Sequence, residues 1–495
     1  MDFFNTVFMC VHSLSKEIIF YTFQPKEGNV LIQILITFLS IFLILLGLCL
    51  LAPSLLFMII LNIYLRIQYK NQFGGFLGID TLLERLNITI SYVYLLENNK
   101  SSDEVIKAVK NATQNLFNSN YKFSSTIQRC CGLYFYVKNN VDINDIITTV
   151  DNGYSTKEEF INHLESNHFD ELNSKLKLWN VLILKNTVNW GGNDYYPVVI
   201  TFNHCLGDGM RLTAFQNKYF LNNAVEEKFK HALIKSKKSK EILKKSTIIE
   251  FILNCYNIKS DYLESLKSCT QHLAVYIEDE RKYLKLIPIL SREFQCTFTD
   301  IVVTTCSDGI LDHLKMKNDV PNEIIVGNTC REINENINTV WNLLRNDVTV
   351  QCYKFPCKTE ENFYIKIKSW IQEVKKQRNT ANFQILYFLA KIFTLFPQIL
   401  MNSFITVSVK KTCLAFTNIP GPDSGKIGDI NVEKSFLFVN HFGGPKFGLT
   451  LFSFNGKLHA TLISDKQTNI NREDLQQILN NSFKKIDELL EIKNK

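Results

Sequence analysis

No two of the 13 cysteines in this 495-residue chain are spaced as a Cys-x-x-Cys pair. That absence excludes the zinc-ribbon and dithiol redox classes. The cysteine count is odd and the spacing irregular, so the thiols read as reduced, in a domain facing the cytosol. Charge of one sign is also scarce. A formal net charge of +7 over this length is too mild for a nucleic-acid binder, and no nucleic acid is expected as a partner. Metal-ligand spacing is missing as well: His163 and His168 stand five apart with acids nearby but without a third ligand, so no metal is expected. Asn440-His441 ahead of Phe442-Gly443-Gly444 reads as a structural turn. Neither an internal repeat nor a long low-complexity stretch interrupts the chain. At this length one hydrophobic core does not suffice, and two lobes are expected.

The longest gap in charge is the most informative. From Gly28 to Leu65 no side chain is charged, and the part from Leu31 to Leu51 is almost wholly apolar. About 20 such residues cross the hydrocarbon of a bilayer as a helix. Residues 29–66 are therefore expected to form a transmembrane or re-entrant anchor after an N-terminal tail, 1–28. A cleaved signal peptide would have a shorter apolar region nearer the start. Pro53 divides the stretch, which fits a kinked span and a re-entrant hairpin alike. Arg66 and Lys70 on one flank, against Lys16 and Lys26 on the other, leave the orientation undecided by charge.

Beyond the anchor, strand and helix patterns alternate, as in an α/β fold. Ser101-Ser102-Asp103-Glu104 opens a helix whose apolar positions Val105, Ile106 and Val109 recur at helical spacing. Strand-like runs follow at Gly132 to Val137, Trp179 to Leu184 and Tyr196 to Thr201. The lysine-rich run within 226–246 reads as a solvated face or linker, with contact to an anionic bilayer as the functional alternative. Farther on, Pro288 to Asp312 reads as a turn followed by a long helix, and strands are expected around Glu323 to Val326 and Val348 to Phe355. Residues 383–409 are apolar but carry Lys391 and Pro397, which favours a core or interfacial segment over a second span. Strands return at Phe447 to Phe454 and Leu458 to Ser464, and a helix closes the chain from about Asn471, with acids in its first turn.

Chemistry concentrates in Phe202-Asn203-His204-Cys205-Leu206-Gly207-Asp208-Gly209, directly after a strand-like run. An imidazole titrates near neutrality and takes a proton from a hydroxyl, while an Asp-Gly turn holds the loop that presents it. His204 is thus the candidate general base. Cys205 occupies a variable position of the pattern and reads as packing.

This motif, the strand Lys177-Leu178-Trp179-Asn180-Val181 upstream and Thr417-Asn418-Ile419-Pro420-Gly421-Pro422 downstream together resemble the wax ester synthase/diacylglycerol acyltransferase family. That family lies within the CoA-dependent acyltransferase superfamily, which shares His-x-x-x-Asp-Gly. The likeness covers roughly residues 70–490. It departs from the family's His-His doublet at Asn203, and the family's Asn-Asp pair stands as Thr299-Asp300. Leu344-Arg345-Asn346-Asp347 ahead of Val348 is similar to the family's asparagine-then-strand pattern.

The resemblance implies two chloramphenicol-acetyltransferase-like lobes, 70–225 and 271–490, joined by a basic linker, 226–270, with the active site in a channel between them. It implies acyl-CoA as co-substrate, no cofactor, a long-chain fatty alcohol or a diacylglycerol as acceptor, and His204 as catalytic base. Asp208, Gly209 and Asn203 would be structural, with Arg331 holding Asp208. Thr417 and Asn418 would contact substrate or the oxyanion. Anionic lipid headgroups or CoA phosphates account for the mild positive charge. Because acyl-CoA is cytosolic, the catalytic domain would face the cytosol from a membrane, most plausibly the endoplasmic reticulum. The sequons Asn87-Ile88-Thr89 and Asn111-Ala112-Thr113 would then stay unmodified.

Overall fold

The computed structural model describes residues 53 and 55–494, apart from 152, 168–171, 173, 224–270, 332–343, 358–361, 379–411, 441–444 and 467. The N-terminal tail, the anchor up to residue 52, the basic linker 226–270, the segment 383–409, His168 and His441 therefore lie outside the described residues. Among the described residues no helix is long and apolar enough to cross a membrane.

Two large sheets organise the molecule. The first has the order β13-β14-β2-β8-β6-β5, with β7 added beside β8. Its members are β2 (Thr89–Glu97), β5 (Ile147–Val150), β6 (Trp179–Leu184), β7 (Val188–Trp190), β8 (Asn193–Asn203), β13 (Lys426–Ile427) and β14 (Ile430–Val439). The second runs β11-β10-β12-β15-β16-β9. It contains β9 (Gln271–Ile277), β10 (Glu323–Arg331), β11 (Val348–Pro356), β12 (Leu414–Ile419), β15 (Phe447–Phe454) and β16 (Lys457–Asp465). A small third sheet, β1-β4-β3, is made of β1 (Phe73–Phe76), β3 (Thr126–Cys130) and β4 (Leu133–Val137).

The central strands of the first sheet read as continuous apolar runs because both of their faces are covered. β2 is buried along Thr89 to Leu96, and β8 from Tyr195 to Asn203. On one face Tyr92, Tyr94, Val198 and Ile200 pack with Val105, Val109 and Leu116 of the helix Ser102–Ser119. That helix starts at a capping box: Ser101 accepts from the Glu104 amide while the Glu104 carboxylate accepts from the Ser101 amide. On the other face Val93, Leu95 and Val199 meet Leu273 and Val275 of β9 and Ile463 of β16. This shared core joins the two lobes. Backbone hydrogen bonds strengthen the joint, since β14 comes from the C-terminal half yet pairs antiparallel with β2 of the first sheet. The second sheet carries the helices Tyr283–Glu293, Phe298–Met316, Phe363–Arg378 and Arg472–Asn494 on a core of its own.

Pro288 differs from expectation. It lies inside the helix Tyr283–Glu293 and not in a turn. A proline there forfeits one helical hydrogen bond. Its position on the solvent face, with Ile287 and Leu290 buried on the other, lets water replace the lost donor.

His459 of β16 is buried, with Nδ1 against the Ser435 carbonyl of β14, and burial pushes its imidazole down to about 4 from 6.5. An unfolded chain would bind that proton near 6.5, so the unfolded state holds more protons between those values and stability falls as pH falls through them. Between pH 7 and 5 this one residue is expected to cost about 2 kcal/mol. Urea unfolding at both pH values, wild type against His459→Gln, reads the difference; parallel losses in the two proteins would refute it.

Candidate active site

β8 ends at Asn203 and the chain turns at once into the single 3-10 turn His204–Leu206. Asn203 suits this corner. Its Oδ1 accepts from the Cys205 amide at 3.0 Å, capping the turn, while its Nδ2 donates to Glu84 at 2.7 Å. Asp208 then caps the helix Gly209–Phe215, accepting from the Arg211 amide at 3.0 Å. Gly209 is a glycine because of close approach: a Cβ there would collide with Ile419 at the end of β12. Gly207 likewise backs onto Leu344 and Arg345.

The Asp208 carboxylate is buried beside Arg211, whose guanidinium lies 3.8 Å from Asp208 and 2.5 Å from Asp347. Oδ2 of Asp208 also accepts from the Asp347 amide at 3.3 Å. Arg331 ends β10, where its backbone pairs with Val348, and its side chain lies outside the described residues. Among the described side chains, Arg211, three residues on from Asp208, lies against it.

His204 keeps part of its surface exposed, yet its Nδ1 is fully enclosed. The accessible part of the ring therefore lies away from Nδ1. Burial lowers the imidazole below 6.5, while its own carbonyl, Asp208, Asp80 and the Asn346 side chain act in the opposite direction. Cys205 is buried and burial pushes its thiol well above its ordinary value, which removes the thiolate a nucleophile would need. Trp179 stacks on Phe202 at 5.7 Å and donates to the Phe123 carbonyl at 2.8 Å, fixing the strand end from which His204 leaves.

Thr417 and Asn418 sit on β12 two residues and one residue before Ile419, the residue that touches Gly209. Thr417 meets Thr329 at 2.9 Å, and Asn418 donates to Thr299 Oγ1 at 3.1 Å. Thr299 opens the helix Phe298–Met316, where Asp300 forms a capping box with Thr297 and an ion pair with Arg378. Among the described residues no group of three or more His, Cys, Asp or Glu side chains is placed to hold a metal ion.

Several further residues hold the motif, and among them only those of Leu344-Arg345-Asn346-Asp347 carry a sequence signal. Asn346 donates to the His204 carbonyl at 2.8 Å and to Asp80 at 2.9 Å. Tyr136 reaches the Cys205 carbonyl at 2.7 Å, and Lys122 the Leu206 carbonyl at 3.4 Å. Asn346 and Asp347 both flank the motif from a segment more than 130 residues downstream of it, just inside a stretch with a family match. Residues 345–487 match the model of the WS/DGAT C-terminal domain.

The match is to the family's C-terminal domain and lies within the second of the two expected lobes. The family resemblance read from the motifs is thereby borne out. Known structures extend the likeness to the whole fold. The wax ester synthase/diacylglycerol acyltransferase from Marinobacter aquaeolei VT8 superposes with a TM-score of 0.53 at 14% identity, covering 83% of this chain and 97% of that one. The TRI3 trichothecene 15-O-acetyltransferase from Fusarium sporotrichioides gives 0.59 at 11% identity, over 83% and 94%. The first condensation domain of the calcium-dependent antibiotic synthetase gives 0.56 at 9%, over 84% and 96%. At these identities the likeness establishes the two-lobed α/β fold. No curated protein matches the chain by sequence. The WS/DGAT match is to residues 345–487 alone; the reaction and its acceptor are separate questions.

Proposed function

We propose that this WS/DGAT-type protein transfers a long-chain acyl group from acyl-CoA to a fatty alcohol, with His204 as the general base. The observation that carries the reading is the half-enclosed imidazole at the end of β8, on a residue whose backbone carbonyl is held by Asn346 from the WS/DGAT segment. Nδ1 is enclosed and out of reach of substrate, so the proposed neutral tautomer carries its proton on Nδ1. Nε2 is then free to take the proton of the acceptor hydroxyl. The alkoxide oxygen attacks the thioester carbonyl, the carbon–sulfur bond breaks, and the proton passes to the departing CoA thiolate. No covalent enzyme intermediate is needed. Thr417 and Asn418 are the proposed contacts for substrate or the oxyanion.

Membrane attachment belongs to the same proposal. Residues 55–69 are helical, and Leu56, Ile59, Ile60, Ile63 and Ile67 lie exposed along them. Leu61 and Leu65 on the opposite side pack with Phe73, Phe135 and Val137 of the small sheet. An apolar face continuing an uncharged run suits an interfacial position next to lipid. The cytosolic face of the endoplasmic reticulum is the proposed site, because acyl-CoA is supplied there.

Membranes carrying the protein, given labelled palmitoyl-CoA with either a fatty alcohol or a diacylglycerol, test the acceptor. Wax ester that vanishes in His204→Ala supports the reading; triacylglycerol instead shifts it to diacylglycerol acylation. No ester with either acceptor, from folded protein, points to a catalytically silent lipid binder. Because burial lowers the His204 imidazole, the active neutral form persists below pH 6.5. The acid limb of kcat/KM is expected below that value, with no loss of rate at pH 7. A limb centred at or above it would contradict this environment.

A further inference from the structure

Three consecutive carbonyls of the histidine turn are each held by a side chain that also meets one buried carboxylate. Asn346 donates to the His204 carbonyl at 2.8 Å and to Asp80 Oδ1 at 2.9 Å. The single proton of the Tyr136 hydroxyl is shared between the Cys205 carbonyl at 2.7 Å and Asp80 Oδ2 at 3.0 Å. Lys122 reaches the Leu206 carbonyl at 3.4 Å and Asp80 Oδ2 at 3.2 Å. Asp80 and Lys122 are both buried. The carboxylate thus accepts from a donor on each of three separate stretches of chain, and every one of these donors grips the turn.

The helix that bears Asp80 is short, Asp80–Arg85, and one turn later on the same face it carries Glu84. Glu84 accepts from Asn203 at 2.7 Å. One face of one helical turn therefore addresses both ends of the His204 turn: Glu84 through Asn203 before it, Asp80 through the carbonyls within it. A buried carboxylate of this kind stays in place only when its acceptor sites are filled, so the orientations of all three donors are coupled.

We infer that Asp80 is a positioning residue for His204, orienting the imidazole through Asn346, Tyr136 and Lys122 without touching substrate. The inference rests on His204 being the base of the acyl transfer proposed above. It also ties the lobes together functionally, because Asn346 belongs to the WS/DGAT segment while Asp80 and His204 belong to the first half of the chain.

The test compares Asp80→Asn and Asn346→Ala with Asp308→Asn as control. Asp308 is an equally buried carboxylate, paired with Lys366 and Lys485 in the second lobe. Two readouts are taken on protein shown to be folded by its unfolding transition. One is kcat and KM with palmitoyl-CoA and the acceptor that the wild type uses. The other is the rate at which diethylpyrocarbonate modifies His204, followed by peptide mass spectrometry, which needs no catalysis. The expected result is a fall of about 10-fold or more in kcat with KM little changed, and several-fold faster modification of His204, in both site variants and not in the control. The double variant Asp80→Asn/Asn346→Ala is expected to lose no more than the worse single variant. Should Asp80→Asn fail to fold because Lys122 is left unpaired, Asp80→Asn/Lys122→Met removes that charge and is read in the same way. Unchanged modification of His204 in the site variants overturns the inference. If the wild type makes no ester, the proposed reaction fails, and faster modification still supports the positioning role.

Discussion

Replacing His204 with alanine lowers kcat for acyl transfer by ~10²–10⁴-fold, the usual contribution of a positioned general base. Binding of acyl-CoA should change far less, because the imidazole acts on the acceptor proton and the turn is held by its backbone carbonyls. Those carbonyls remain in the alanine variant, so the fold is expected to persist. Orientation of the two substrates and polar stabilisation of the oxyanion supply the residual rate. Pre-steady-state measurement of the chemical step, with unfolding curves for both proteins, decides the matter. A variant that keeps more than about a tenth of the wild-type rate would exclude His204 as the base.

The largest expected effect on stability comes from Arg211→Ala. The guanidinium lies between the buried carboxylates of Asp208 and Asp347. Removing it leaves two like charges without this partner in a low-dielectric setting, which costs about 3–5 kcal/mol. Arg345 also pairs with Asp347 at 2.7 Å and moderates the loss on that side. Loss of the guanidinium beside Asp208 would loosen the cap of the helix Gly209–Phe215. Chemical denaturation of Arg211→Ala gives the size of the effect, and adding Asp347→Asn should recover part of it, because one of the two carboxylates that faced the guanidinium loses its charge. A loss below about 1 kcal/mol would mean the pair is worth no more than an exposed salt bridge.

Much of this architecture is legible in the sequence. The runs at Trp179, Tyr196, Val348, Phe447 and Leu458 read as strands, and they correspond to β6, β8, β11, β15 and β16. They are legible because buried strands of β-branched and aromatic residues stand out against the polar segments between them. The closing helix starts at Arg472, one residue past its expected start. Pro288 misleads because propensity rules ignore which face of a helix meets water. The site is legible only in part. His204, Asp208 and Gly209 lie in one short motif, so their adjacency is local. Asp80, Lys122, Tyr136 and Arg211 have no distinctive spacing; they are ordinary polar residues until the fold brings them to one turn, and Asn346, though it stands in the asparagine-then-strand segment, shows its contact with the His204 carbonyl only in the fold.

The sequence by itself determined the alternation of strands and helices, the chemical identity of the candidate base, and the resemblance to the WS/DGAT family that residues 345–487 bear out. These depend on local composition and on motifs that the backbone presents within a few residues. Only the tertiary structure decided that β14 joins the first sheet beside β2, that Ile419 closes on Gly209, and that Asp80 meets Asn346 beneath His204. Asp80 and Asn346 are separated by 266 positions. Contacts of that kind are fixed by sheet pairing and by the need to satisfy buried polar groups, and no periodicity along the chain encodes them.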